Sequence, residues 1–222
     1  MVHLQATIDQ VLRAARGHFP VDEPTLSRLL ADHPTFESIA PLLKEPRNET
    51  VRSAVLYLSA AGSREEAGVL SLLLHHPDQG VVELAEYGLW RIWMQSGSAR
   101  GNRALSEGIA QLKRGELSAA DQTLRRLIAD EPGFAEAHFQ HGLVLASLER
   151  VSEADRAYRQ ALKLNPGHFA AAAALGHACV EQHNLVGALY YYRRAIEIHP
   201  RLDGIAEVVR ELERSVGRGY DA

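Results

Sequence analysis

The stretch AEAHFQHGLVLASLERVSEADRAYRQALKLNP, residues 135–166, decides the fold, because its landmarks recur one period earlier and one period later. Pro166 has counterparts at Pro132 and Pro200, 34 residues away on either side. Gly142 returns as Gly108 and Gly176, and Ala154 as Ala120 and Ala188. Four residues after each of those alanines stands a bulky side chain: Leu124, Tyr158, Tyr192. Within the quoted stretch the spacing predicts two helices, Ala135 to Leu148 and Ser152 to Leu164. Ser152 with Glu153 and Asp155 reads as a helix start, a cap followed by acids in the first turn. Asn165-Pro166-Gly167 reads as its stop, since proline lacks the donor and restricts the residue before it. Small residues let the helices approach closely, and Tyr158 and Tyr192 fill the space between repeats. A fixed period of this kind predicts stacked helix pairs, an all-α solenoid.

Gly, Ala, an aromatic and Pro at these offsets resemble the tetratricopeptide repeat family. Units two and three carry all four elements. Unit one has Leu124 for the aromatic and Leu127 where Ala161 and Ala195 stand. In place of the family's first-helix Trp stand Ala104, His138 and Ala172. The resemblance covers about half the chain, roughly Asn102 to Pro200. It implies a partner-binding inner face made by the first helix of each unit. That face takes Leu105, Ile109 and Leu112 from unit one and Glu136, Phe139, Leu143 and Ala146 from unit two. Unit three adds Ala170, Ala173, His177, Val180 and Glu181.

Leu105, Ile109, Phe139, Leu143, His177 and Val180 are the partner-binding candidates. Phe139 and Leu143 are placed near the centre, because i, i+4 side chains meet on one helix face. One subclass of the family grips a C-terminal carboxylate with Lys, Asn and Arg. The matching places here hold Leu105, Ile109, Gln140, Ala170 and Ala174, of which only Gln140 has a side-chain donor. An apolar face suits the stripe of an amphipathic partner helix. Such a face also calls for cover, from a partner helix, a peptide or the chain's own N-terminal half. Pentatricopeptide repeats have a similar period and read RNA. A net charge of −4 and the Gly–Ala–Tyr–Pro pattern point away from them.

A second period, of 31 residues, runs through the N-terminal half. It pairs Leu42-Leu43 with Leu73-Leu74, Pro46 with Pro77, Val51 with Val82, Ala54 with Ala85 and Leu58 with Leu89. Each unit reads as a Leu-rich helix, a short turn with Pro, and a helix opened by Val. The order resembles the HEAT repeat family over Pro34 to Gly62 and Ser63 to Gly97. That family's Arg after the Val is Arg52 in the first unit and is replaced by Glu83 in the second. Ser96-Gly97-Ser98-Ala99-Arg100-Gly101 reads as a linker, short enough that the two arrays are expected to sit against each other. Trp90 and Trp93, three apart and so neighbours on one helix face, are expected to seal that junction or to leave one Trp exposed as a partner anchor.

The 222 residues are 46% hydrophobic and 23% charged, a normal balance for a chain that buries a core. The charge gives no reason to expect a nucleic-acid partner. No stretch approaches the roughly 20 apolar residues that span a bilayer. Met1 to Phe19 has charges scattered through it and no secretory core. The lone Cys179 rules out an internal disulfide and fits a reducing compartment, so a cytoplasmic protein is expected. No phosphate-cradling loop, nucleophile elbow or zinc-protease motif is present. His138 and His141 are i, i+3 but lack an evident third metal ligand. No cofactor and no metal are expected, and Cys179, amid Ala and Val, reads as a buried inert thiol.

The expected organisation is a HEAT-like domain with N-terminal capping helices over 1–97, a linker at 98–101 and three tetratricopeptide units over 102–201. A capping helix over 202–216 and a loose tail at 217–222 follow. Ile205, Val208, Val209 and Leu212 form the apolar stripe such a cap needs. The expected function is a non-catalytic adaptor, scaffold or assembly factor that binds a partner helix or peptide. The alternatives are a HEAT-type chromophore lyase or other enzyme accessory with a site at the junction, and a structural subunit of a larger complex.

Overall fold

The computed structural model describes residues 23–32, 34–61 and 66–220. All regular structure among them is helical. The chain divides into two compact units, residues 1–93 and 94–222. No described helix is long and apolar enough to cross a membrane.

The N-terminal unit holds α1 (Glu23–Asp32), α2 (Phe36–Ile39) running into a 3-10 turn (Ala40–Lys44), α3 (Asn48–Ala61), α4 (Ala67–Leu73) and α5 (Gln79–Met94). The capping helices expected before residue 23 lie outside the described residues. The 31-residue register is the register of the core: Val51 and Val82, Ala54 and Ala85, Leu58 and Leu89 are all buried. Close approach of α3 and α5 depends on glycine. A Cβ on Gly88 would collide with Ser59 of α3, and one on Gly80 would lie 2.7 Å from the Arg52 guanidinium. Arg52 holds the two helix pairs together, giving Nε and Nη2 to Asp78 at 2.9 and 2.7 Å. Asp78 in turn accepts the Val81 N–H at 3.0 Å and so caps α5.

The C-terminal unit consists of three helix pairs and a final helix. The pairs are α6 (Ala99–Lys113) with α7 (Leu117–Asp130), α8 (Ala135–Ser147) with α9 (Val151–Leu164), and α10 (Phe169–Glu181) with α11 (Leu185–Ile198). The last helix is α12 (Ile205–Tyr220). Ala120, Ala154 and Ala188, and after them Leu124, Tyr158 and Tyr192, are all at least 97% buried. Each bulky residue packs on the glycine of its own unit. A Cβ on Gly176 would lie 2.6 Å from the Tyr192 ring, one on Gly108 would lie 2.8 Å from Leu124, and one on Gly142 would collide with Tyr158. The aromatics therefore lock the two helices of a pair as well as filling space between repeats.

The turn inside each pair is the same motif three times. Gly115, Glu149 and His183 have φ of +75°, +59° and +58°. The following N–H reaches back five residues: Glu116 to Gln111, Arg150 to Leu145, Asn184 to Cys179, at 2.8–2.9 Å. This left-handed stop satisfies carbonyls that the helix end leaves open.

Three boundaries differ from expectation. The 98–101 linker is instead the opening of α6. Ser98 Oγ accepts the Gly101 N–H at 3.0 Å, while its own N–H and hydroxyl go to the Glu131 carboxylate. Ser152 does not cap α9, which starts at Val151. Arg150 occupies the cap position without a cap bond and pairs with Glu153 at 2.6 Å instead. The final helix runs to Tyr220, past the expected end at residue 216. Its stripe falls as expected, with Ile205, Val209 and Leu212 buried and Val208 half-buried against Ala188, Tyr192 and Ala195.

Candidate functional site

The first helices α6, α8 and α10 supply the inner-face positions, and burial sorts the six partner candidates into two groups. Leu105 is fully buried with Leu124, Leu127, Phe134 and Val144. Phe139 is 5% exposed, with its ring 6.0 Å from Tyr158 and 4.6 Å from His168. These two are core rather than contact surface, because a large side chain between two packed helices is shared by both neighbours. Ile109 and Leu143 are half-buried, His177 is exposed and Val180 is 38% exposed. Only those four of the six present side chains at the surface.

Glu136, expected on the same face, is completely buried. Its carboxylate accepts from the Gln140 amide at 2.8 Å and lies 3.2 Å from His168 Nε2. His168 Nδ1 accepts the Ala171 N–H at 3.2 Å, capping α10, so the ring proton sits on Nε2 and is donated to Glu136. Unit two is thereby bonded to unit three through a carboxylate in the first turn of α8, where the helix dipole favours negative charge. Sequence reasoning missed this pair. The partners are 32 residues apart, and His is not a usual cap, so no local pattern marks them.

His177 shows how the second helix shapes the face. The Tyr192 hydroxyl lies 2.6 Å from His177 Nδ1, with the rings edge to face at 5.2 Å. Burial pushes the Tyr192 phenol up to about 12, with Cys179 and Glu181 adding to the shift, so it stays a donor. Burial of the same contact lowers His177, opposed by Glu181. The lowered value favours the neutral imidazole.

Trp93 is 7% exposed and Trp90 half-buried, with ring centroids 5.4 Å apart at 73°. His138 Nε2 lies 3.0 Å from the Pro132 carbonyl oxygen, and His141 Nε2 lies 2.7 Å from Asp121. The two imidazoles are thus engaged separately. Among the described residues no group of three or more His, Cys, Asp or Glu could hold a metal ion. Cys179 is buried, and that burial raises its thiol, aided by Asp155 and opposed by Arg159.

The sequence model of the tetratricopeptide repeat family matches residues 105–155 and 139–202, and the helix pairs of the C-terminal unit are repeats of this kind. Three solved structures share the fold. The first repeat domain of Spaghetti (RPAP3), bound to the HSP90 peptide SRMEEVD, is 17% identical, with a TM-score of 0.52 over 55% of this chain and 96% of that one. The Sgt2 repeat domain from Aspergillus fumigatus is 18% identical, with a TM-score of 0.52 over 56% of this chain and 84% of that one. The first repeat domain of human RPAP3 is 17% identical, with a TM-score of 0.51 over 57% and 99%. No curated protein matches the chain in sequence.

Proposed function

We propose that this protein is a non-catalytic interaction module, an adaptor, scaffold or assembly factor. Its C-terminal repeats take the apolar stripe of a partner helix or peptide on Ile109, Leu143, His177 and Val180, above a floor of Leu105 and Phe139. The observation that carries this reading is the accessible apolar side chains on the first helices of a repeat fold that, in the RPAP3 structure, holds a peptide. The chemistry differs from that case. The peptide there, SRMEEVD, is acidic, whereas the named inner-face positions here contain no Lys or Arg. An apolar stripe fits them better. The N-terminal unit, two helix pairs in a 31-residue register, is on this reading a HEAT-like array that accompanies the binding domain. The test is photo-crosslinking in the native cell from a reactive residue placed at Leu143, followed by affinity of the captured partner for Ile109→Ser and Leu143→Ser. Folded variants with unchanged affinity would move the site elsewhere, to Trp90 and Trp93 first.

A further inference from the structure

The second helices follow one pattern, with a single stripe as the exception. Ser118, Asp121 and Gln122 of α7 and Ser152, Asp155 and Arg156 of α9 are polar. Their counterparts in α11 are Val186, Leu189 and Tyr190. Val186 is 64% exposed and Tyr190 60%. Single exposed apolar residues are ordinary. Here three changes of the same sense share one stripe, at positions where two sister repeats fold with Ser, Asp, Gln and Arg. Leu189 packs against the core of the third repeat, whereas Val186 and Tyr190 are more than half exposed.

The surroundings give the stripe a charge. Tyr190 stands between two shallow recesses, one of about 390 Å³ along α11 past Val186, Arg194 and Glu197, the other of about 310 Å³ towards α9, reaching Lys163 and Tyr191. Arg159 and Arg193 are occupied by Asp155 and Glu213, at 2.6 and 2.7 Å. Among the described residues no carboxylate pairs with Lys163 or Arg194. Arg194 gives Nη2 to the Pro166 carbonyl at 3.3 Å, and its Nε is buried without a hydrogen-bond partner. In a chain of net charge −4, two cations without a carboxylate partner among the described residues, beside an exposed Tyr and Val, favour a partner by sign as well as by shape.

We propose that this stripe is a second docking surface, taking an acidic amphipathic helix of another protein. Apolar side chains of that helix cover Val186 and Tyr190, and a carboxylate of it pairs with Arg194 and Lys163. The surface lies on the second helix of the third repeat and is independent of the inner-face reading, which concerns the first helices.

The test is selection of a displayed library of random 16-residue peptides on the full chain, followed by binding of the recovered peptides, made synthetically, to variants. V186S/Y190R restores the residues of the second repeat, so folding is preserved by precedent within the chain. The expected peptides combine Asp and Glu with apolar residues at helical spacing. They should bind V186S/Y190R about tenfold or more weakly, lose affinity in R194Q and at raised salt, and bind Leu143→Ser unchanged. Recovery of only basic or uncharged sequences overturns the proposal, as does undiminished binding to V186S/Y190R. So does self-association of the full chain that V186S/Y190R abolishes in sedimentation, because the occupant is then a second copy. Peptides lost only in Leu143→Ser belong to the inner face and leave that reading standing by itself.

Discussion

The Tyr192 hydroxyl lies 2.6 Å from His177 Nδ1, so a core aromatic of the third repeat orients a side chain on its first helix. Tyr192→Phe keeps the ring on Gly176 and removes only this bond. It should cost about 1–2 kcal/mol. Tyr192→Ala and Tyr158→Ala empty the space over their glycines and should cost about 3–5 kcal/mol each. Denaturant unfolding gives these values, and His177 ring nitrogen shifts report the tautomer. Parent-like stability of Tyr192→Phe together with unmoved shifts would show that the bond does not form in solution.

Acid should destabilise the fold through its imidazoles before its carboxylates. Burial lowers His138, opposed by the Pro132 carbonyl, and likewise lowers His177. The folded state therefore favours their neutral forms. That contribution is complete above the ordinary imidazole value of about 6.5 and is lost as pH falls through the lowered folded values. The melting temperature should drop between about pH 7 and pH 5, and H138Q/H177Q should flatten that part of the profile. An unchanged profile in the double variant would assign the effect to other groups.

The turn within each repeat pair should reward glycine. Glu149 and His183 occupy the left-handed region at φ near +60°, where Gly115 stands in unit one. A side chain there costs about 1–2 kcal/mol, partly offset by the greater entropy glycine loses on folding. Glu149→Gly and His183→Gly should each stabilise by about 0.5–1 kcal/mol, and Gly115→Ala should destabilise by about 1 kcal/mol. Equal melting temperatures across the three variants would contradict this.

How far these features were legible in the sequence depends on how local their causes are. The 34-residue register was readable because each landmark acts within its own helix pair: Gly142 under Tyr158, Ala154 at the contact, Pro166 at the stop. The opening of α6 reads as a linker because its residues are small, while the carboxylate that orders Ser98 comes from Glu131, 33 residues on. Phe139 lies on the first helix of its pair, as its spacing predicts, but in the core rather than at the surface. Helical spacing gives a side chain's direction, and only the packed neighbours, Tyr158 and His168, decide whether that direction ends in protein or in water.

The Glu136–His168 bond should matter more than any surface ion pair. His168→Ala leaves a fully buried carboxylate with only the Gln140 amide, which should cost about 3–5 kcal/mol. Glu136→Gln keeps an acceptor for His168 and removes the buried charge, so its cost should be clearly smaller. Arg114→Ala, which breaks exposed pairs with Glu107 and Glu116, should change stability least of the three. Similar losses in all three variants would mean that burial of the pair does not set its weight.

Salt separates the two surfaces proposed for the C-terminal repeats. The proposed contact residues Ile109, Leu143 and Val180 carry no charge, and burial lowers His177 towards its neutral form, Glu181 beside it being the exposed charge among the named inner-face positions. Apolar burial is not screened, whereas exposed charge pairs weaken once the screening length falls to about 3 Å at 1 M salt. Partner affinity at the inner face should therefore change less than about threefold between 0.1 and 1 M salt. Leu143→Ser should weaken it about tenfold by removing apolar contact area and placing a hydroxyl in its stead. Phe139→Ala should weaken it too, but by way of stability, since the ring is floor rather than contact. Calorimetric titration of the captured partner at both salt concentrations, with unfolding curves for each variant, distinguishes these routes. A steep loss of affinity with salt that Leu143→Ser leaves unaltered would place that partner on a charged surface, and Arg194 and Lys163 beside Tyr190 would be the first residues to replace.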